Sequence, residues 1–109
     1  MIYTQQSLYE VLEKNPLRTE VYIGEGSLEN KDYIFLDYVE EKEIPSDTPT
    51  YKTKIIINIY TKDIDDRKKL VDYMKPILKG SFIYTRDKEH SYFVATLSKF
   101  VYMYEQNDK

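Results

Sequence analysis

The chain has no cysteine and no tryptophan, and its 109 residues include only 3 glycines and 4 prolines. Without cysteine there is no disulfide framework, no thiolate zinc site and no cysteine nucleophile. No apolar run approaches the roughly 20 residues of a membrane-spanning helix. The first residues, MIYTQQSLYEVLEK, lack the basic and apolar regions of a signal peptide. These absences predict a soluble protein made in a cytoplasm, with no membrane partner. Neither sign of charge dominates: 16 basic residues stand against 19 acidic ones, a formal net charge of -3. The basic residues are spread along the chain, which argues against a nucleic-acid binder driven by phosphate contacts. A mildly acidic surface still suits DNA passing close by without sticking.

Motifs that carry chemistry are absent as well. There is no P-loop, no GxGxxG and no HExxH. His90, the one histidine, falls in an expected hairpin turn, with no hydroxyl and acid placed to complete a triad. Asp63, Asp65 and Asp66 lack the glycine and the distal glutamate of a calcium loop, so they read as a helix cap. Glu40, Glu41 and Glu43 read as solvated charge at a strand end, and Gly24-Glu25-Gly26 as a plain turn. The expectation is a protein that is not an enzyme, with no catalytic residue, cofactor or metal.

What the chain does have is tyrosine, 12 in all. Tyrosine favours strands, and it is also enriched at protein interfaces, where the ring is covered and the hydroxyl stays wet. Composition alone leaves both readings open.

The apolar periodicity predicts a helix over residues 4–14, with Thr4 as cap, Leu8, Val11 and Leu12 inward, and a stop at Asn15-Pro16. A short edge strand over 20–23 and a loop over 24–27 follow. The segment 32–41, DYIFLDYVEE, reads as a strand that is bulky on both faces. The loop 41–49 carries two prolines and is long for a compact domain. Next comes YKTKIIINIY, in a strand over 50–60. Tyr51, Thr53, Ile55, Ile57 and Ile59 form its core face, and the other face changes from Lys52 and Lys54 to Ile56, Asn58 and Tyr60.

A second helix spans 63–78, buries Leu70, Val71, Met74 and Leu78, and should kink or stop at Lys75 because of Pro76. Gly80 ends the element. Strands over 81–86 and 91–105, joined by the turn Asp87–His90, close the chain. Lys99 interrupts the apolar parity of the last one, which suggests a β-bulge at Ser98-Lys99. Residues 105–109 should fray.

The predicted fold is α+β, one domain over 1–109, in the order α-β-β-β-α-β-β. About five mainly antiparallel strands carry two helices on one face. That leaves Ile56, Asn58, Tyr60, Phe100, Tyr102 and Tyr104 as an aromatic–aliphatic patch on the helix-free face, of the kind that marks protein contacts.

Taken in order, EVYI, DYIFLDYVEE, TYKTKIIINIYTK, DIDDRKKLVDYMKPIL and IYTRDKEHSYFVATLSKFVYMYE resemble the tail terminator and head–tail joining proteins of long-tailed phages, typified by phage lambda. The resemblance covers residues 4–105 and lies in element order, lengths and the tyrosine-rich hairpin. It implies a structural subunit of a hexameric ring at the head-proximal end of the tail. Such a ring terminates tail-tube polymerisation and joins tail to head. The implied partners are other copies of the chain, the tail-tube protein and the head connector or completion protein. DNA passes through the lumen without sequence-specific binding. The implied location is the neck of the virion, after assembly in the bacterial host cytoplasm. The candidate interface residues are Ile56, Tyr60, Phe100, Tyr102 and Tyr104, with Glu43 and Ile44 in the long loop and Asp87 and His90 in the hairpin. The competing reading is a monomeric or dimeric regulatory module that binds protein through the tyrosine-rich sheet face. A small enzyme is a third.

Overall fold

A computed structural model describes residues 2–24, 30–42 and 50–104. Eight elements follow in order: β1 (Ile2–Tyr3), α1 (Gln5–Glu13), β2 (Glu20–Ile23), β3 (Tyr33–Lys42), β4 (Thr50–Thr61), α2 (Ile64–Leu78), β5 (Phe82–Asp87) and β6 (Tyr92–Tyr104). The α+β class, the two helices and the five longer strands match the sequence-based expectation. The loop expected after Ile23 and the one at residues 41–49 fall largely outside the described residues, as do Glu43, Ile44 and the expected frayed tail.

The sheet has six strands in the order β1-β6-β4-β3-β2, with β5 also on β6. The long ladders β3–β4, β4–β6 and β5–β6 are antiparallel, and the short pairings β1–β6 and β2–β3 are parallel. The sheet is therefore mixed, with its parallel pairs at the margins. β6 shares one flank between two strands: β5 covers Tyr92–Leu97 and β1 covers Tyr102–Met103. The two-residue β1 precedes the expected first element and is too short to show a period.

Both helices pack on one face. In α1, Thr4 and Ser7 bond each other's backbone N–H in a capping box, at 2.9 and 2.8 Å, and Leu8 and Leu12 are buried. In α2, Asp63 caps the Asp65 N–H at 2.7 Å, and Leu70, Val71, Met74 and Leu78 point inward. The two helices meet where the Tyr73 hydroxyl donates to the Val11 carbonyl at 2.7 Å. Beneath them lie Ile34, Leu36, Ile55, Ile57, Ile59, Ala95, Leu97 and Met103, all at most 1 % exposed. The core face of β4 is thus the one its alternation indicates.

Two expectations are corrected. The helix does not stop at Lys75; it continues through Pro76 to Leu78, and Lys79 closes it in the left-handed conformation at φ 51°. Proline removes one N–H in the last turn, and burying Leu78 offsets that loss. Gly80 does not cap the helix, but it is needed for close approach: a Cβ there would lie 2.3 Å from Leu97 Cδ1.

Nor is there a bulge at Ser98-Lys99, because β4 and β6 stay in register from Thr50↔Tyr104 to Thr61↔Phe93. Lys99 keeps its place on the helix face by extending its amine to the carbonyls of Leu78 and Lys79. A cation at a helix C-terminus satisfies orphan carbonyls and complements the dipole. The irregularity lies instead in β3, where the register shifts between Tyr38 and Glu40 and leaves Val39 exposed.

Candidate protein-interaction face

The helix-free face carries alternate residues of each strand: Tyr22 on β2, Tyr33, Phe35 and Asp37 on β3, and Lys52, Lys54, Ile56, Asn58 and Tyr60 on β4. β6 adds Tyr92, Val94, Thr96, Ser98, Phe100, Tyr102 and Tyr104. Register divides this face into two ends. Tyr33 stands opposite Tyr60, and Tyr60 opposite Val94. Phe100 stands opposite Lys54, six residues further along β6. At about 3.3 Å per residue the separation is roughly 20 Å.

At one end the chain covers its own aromatics. Tyr33, Tyr92 and Val94 are buried, with Tyr22, Phe35 and Tyr60 packed against them. The Tyr33 and Tyr60 rings stack at 4.5 Å and 13°. Tyr92 meets both edge-on, at 5.8 Å from Tyr33 and 5.6 Å from Tyr60, and Tyr22 meets Tyr33 at 6.1 Å. Offset-stacked and edge-to-face pairs are the favoured aromatic geometries.

The rim of this cluster is tied down by polar contacts. The Tyr92 hydroxyl donates to the Lys31 carbonyl at 2.8 Å, and the Lys62 amine lies 3.9 Å from the Tyr92 ring centre while donating to the His90 carbonyl. Asp32 accepts from the Lys62 N–H at 2.8 Å. Burial, with Tyr60, Tyr92 and Asp87 nearby, pushes the Tyr33 phenol from 10.0 up to about 12. Burial also raises Tyr60 and Tyr92. Glu20, which accepts from the Tyr22 hydroxyl at 2.6 Å and from Lys31 at 2.9 Å, is held below the usual carboxylate range.

The other end is open. Phe100, Tyr102 and Tyr104 are 40, 48 and 43 % exposed. The Lys52 and Lys54 amines stand 5.0 and 6.0 Å from the Phe100 ring centre. The surface mixes aromatic with cationic groups on a floor formed by the uninterrupted β4–β6 ladder, and at its margin Phe100 and Tyr102 also line a groove of about 440 Å³ with Tyr3, Ile77 and Lys99. Cations over aromatic faces are worth about 0.5–1 kcal/mol when exposed and more when a partner excludes water.

The nine residues singled out in the sequence therefore do not form one patch. Phe100, Tyr102 and Tyr104 gather at the open end, and Ile56, half-buried opposite Ser98 and Asp37, lies between the ends. Tyr60 belongs to the covered cluster. Asp87 and His90 sit beside that cluster, bonded to each other at 2.9 Å, and the contact lowers the Asp87 carboxyl. Glu43 and Ile44 lie outside the described residues. Sequence reasoning missed Tyr22, Tyr33 and Tyr92 as partners of Tyr60, and Lys52 and Lys54 as part of the open end. The missing signal is register: in the antiparallel set β3–β4–β6, the start of β3, the end of β4 and the start of β6 share one end of the sheet.

Among the described residues no group of three or more His, Cys, Asp or Glu is placed to hold a metal ion. A groove of about 560 Å³ between α2 and β5 is lined by Ile64, Arg67, Lys68, Asp72 and Tyr84, among others. Three of its charged groups have partners within the chain: Lys68 pairs with Asp72 at 2.8 Å, and Arg67 donates to the carbonyls of Thr85 and Val94. No helix among the described residues is long and apolar enough to cross a membrane. Neither protein-family models nor curated proteins give a match to the chain.

Proposed function

We propose that the chain is a structural subunit of a phage or prophage neck. Copies of it form a ring, of six subunits by resemblance, at the head-proximal end of the tail. The ring stops tail-tube polymerisation and presents a surface to the head connector. The observation that carries this reading is the open end of the helix-free face, where Phe100, Tyr102 and Tyr104 stand exposed beside Lys52 and Lys54 on a continuous β4–β6 floor. Exposed phenylalanine and tyrosine on an ordered floor suit a contact surface, because their large rings cover area with few rotatable bonds. The reading also rests on the resemblance in element order and length over residues 4–105, to which the structure adds the short strand β1 before the first helix. The net charge of -3 suits a lumen through which DNA slides, with no sequence read.

The test is native mass spectrometry of the purified chain over a concentration series, alone and with a tail-tube protein. A closed ring under either condition is the expected result. A strict monomer or dimer under both would favour the regulatory binding module and discard the ring.

A further inference from the structure

The two margins of the sheet match each other. Ladder by ladder, the transverse rows run Glu20–Tyr33–Tyr60–Val94–Thr85, Val21–Ile34–Ile59–Ala95–Tyr84, Tyr22–Phe35–Asn58–Thr96–Ile83 and Ile23–Leu36–Ile57–Leu97–Phe82. The four residues of β2 are thus level with the first four of β5 at the opposite edge. β2 runs parallel to β3, and three successive antiparallel pairings separate β3 from β5, so β2 and β5 run in opposite directions. Among the described residues neither strand has a second strand partner.

We infer that subunits join edge to edge, with β5 of one copy adding as an antiparallel strand to β2 of the next. The proposal deepens the ring reading, since a second copy is its occupant. Without axial offset, Glu20 faces Thr85, Val21 faces Tyr84, Tyr22 faces Ile83 and Ile23 faces Phe82 across the contact. Each pair then lies on the same side of the joined sheet, Val21 and Tyr84 towards the helices and Tyr22 and Ile83 away from them. An offset of one residue would break that agreement.

Burial and composition point the same way. Eight large apolar side chains are exposed among the described residues, and three of them, Ile23, Ile83 and Tyr84, lie on these two strands. Ile83, the most exposed at 69 %, would meet Tyr22 and so extend the aromatic cluster into the neighbouring subunit. Natural edge strands are blunted by shortness, charge, proline or a bulge. EVYI is short and begins with Glu20, and FIYTRD ends in Arg86 and Asp87, but neither contains lysine or proline, and their pairings to β3 and β6 are regular. The residues level with each other at their centres, Val21 and Tyr22 with Tyr84 and Ile83, are uncharged. The contact joins two different surfaces, so each added copy leaves one free edge of each kind until the set closes.

Because the chain has no native cysteine, introduced thiols report unambiguously. The test mixes Glu20→Cys protein with Thr85→Cys protein, both at exposed positions. A second pair is Tyr22→Cys with Ile83→Cys. Each mixture is bridged with a short bis-methanethiosulfonate, and native mass spectra of the parent chain are recorded at the same concentrations. Folding of each variant is checked by circular dichroism. The expected result is a covalent dimer in each mixture that neither partner forms alone, and a ladder of multimers from the Glu20→Cys/Thr85→Cys double variant. Parent oligomers with no mixture-specific dimer would overturn the edge contact and leave the ring standing. Dimers from Thr85→Cys or Ile83→Cys alone would overturn it in favour of a symmetric contact. A parent chain that stays monomeric both alone and with a tail-tube protein, with no bridging in any mixture under either condition, would overturn both.

Discussion

The two ends of the helix-free face are built from the same side chain and treat it in opposite ways. Tyr33 and Tyr92 are buried at 1 and 2 % exposure, whereas Tyr102 and Tyr104 stand nearly half in water. The difference arises from what surrounds each end. At the closed end, β2, β3, β4, β6 and β5 all contribute, so five strands bring Tyr22, Tyr33, Tyr60, Tyr92 and Asp87 within reach of one another. At the open end β2 and β5 have stopped, and β1 adds only Ile2 and Tyr3. One face thus holds a second small core and a surface left uncovered by the described residues. Tyrosine content cannot distinguish the two; register and strand length can.

The largest expected effect comes from emptying the closed end. Tyr33→Ala should cost about 3–5 kcal/mol, as truncation of a large buried aromatic does. Urea unfolding monitored by circular dichroism measures it. A loss under about 1 kcal/mol would mean that the cluster is decoration on a fold carried by the helix face.

A smaller effect should appear with pH. The unfolded phenol ionises near 10.0 and the folded Tyr33 near 12, so the folded state keeps a proton that the unfolded chain has released. Its contribution is fully present below pH 10 and is lost as the pH rises towards 12. The urea midpoint should therefore fall between about pH 9 and about pH 11, and Tyr33→Phe should flatten that fall in part. It will not abolish it, because burial also pushes Tyr38, on the helix face, to about 12. An equally steep fall in Tyr33→Phe would remove Tyr33 from the account.

The smallest effect belongs to the open end. Tyr102→Ala should change the stability of the free subunit by no more than about 0.5 kcal/mol, the usual range for an exposed position. A loss above 1 kcal/mol would show that the two ends differ less than their exposures indicate.

Much of the fold could be read from the sequence where one period dominates. Ile55, Ile57 and Ile59 marked the core face of β4, and Leu70, Val71, Met74 and Leu78 marked the buried side of α2. Legibility failed where a residue's role depends on a distant partner. Lys99 looked like a defect in β6 because its acceptors, the carbonyls of Leu78 and Lys79, come from the end of a helix twenty residues earlier. Val39 gave no sign of an irregularity, since β3 is bulky on both faces and a shift in parity is hidden there. The candidate face was half legible. Phe100, Tyr102 and Tyr104 were named on the correct face, but Tyr60 was placed with them because alternation tells the face and not the position along the strand.

The central claim is that the aromatics of the open end contact a further protein, whereas those of the closed end serve the fold and the β2 and β5 edges join the copies. Native mass spectrometry of Tyr102→Asp with a tail-tube protein, beside the parent chain and with its thermal unfolding recorded on the same sample, tests it most directly. The account predicts a folded subunit with a midpoint near that of the parent and loss of the mass species that contain the tail-tube protein. A Tyr102→Asp chain that binds the tail-tube protein like the parent would contradict it, and so would one that loses binding only because it no longer folds.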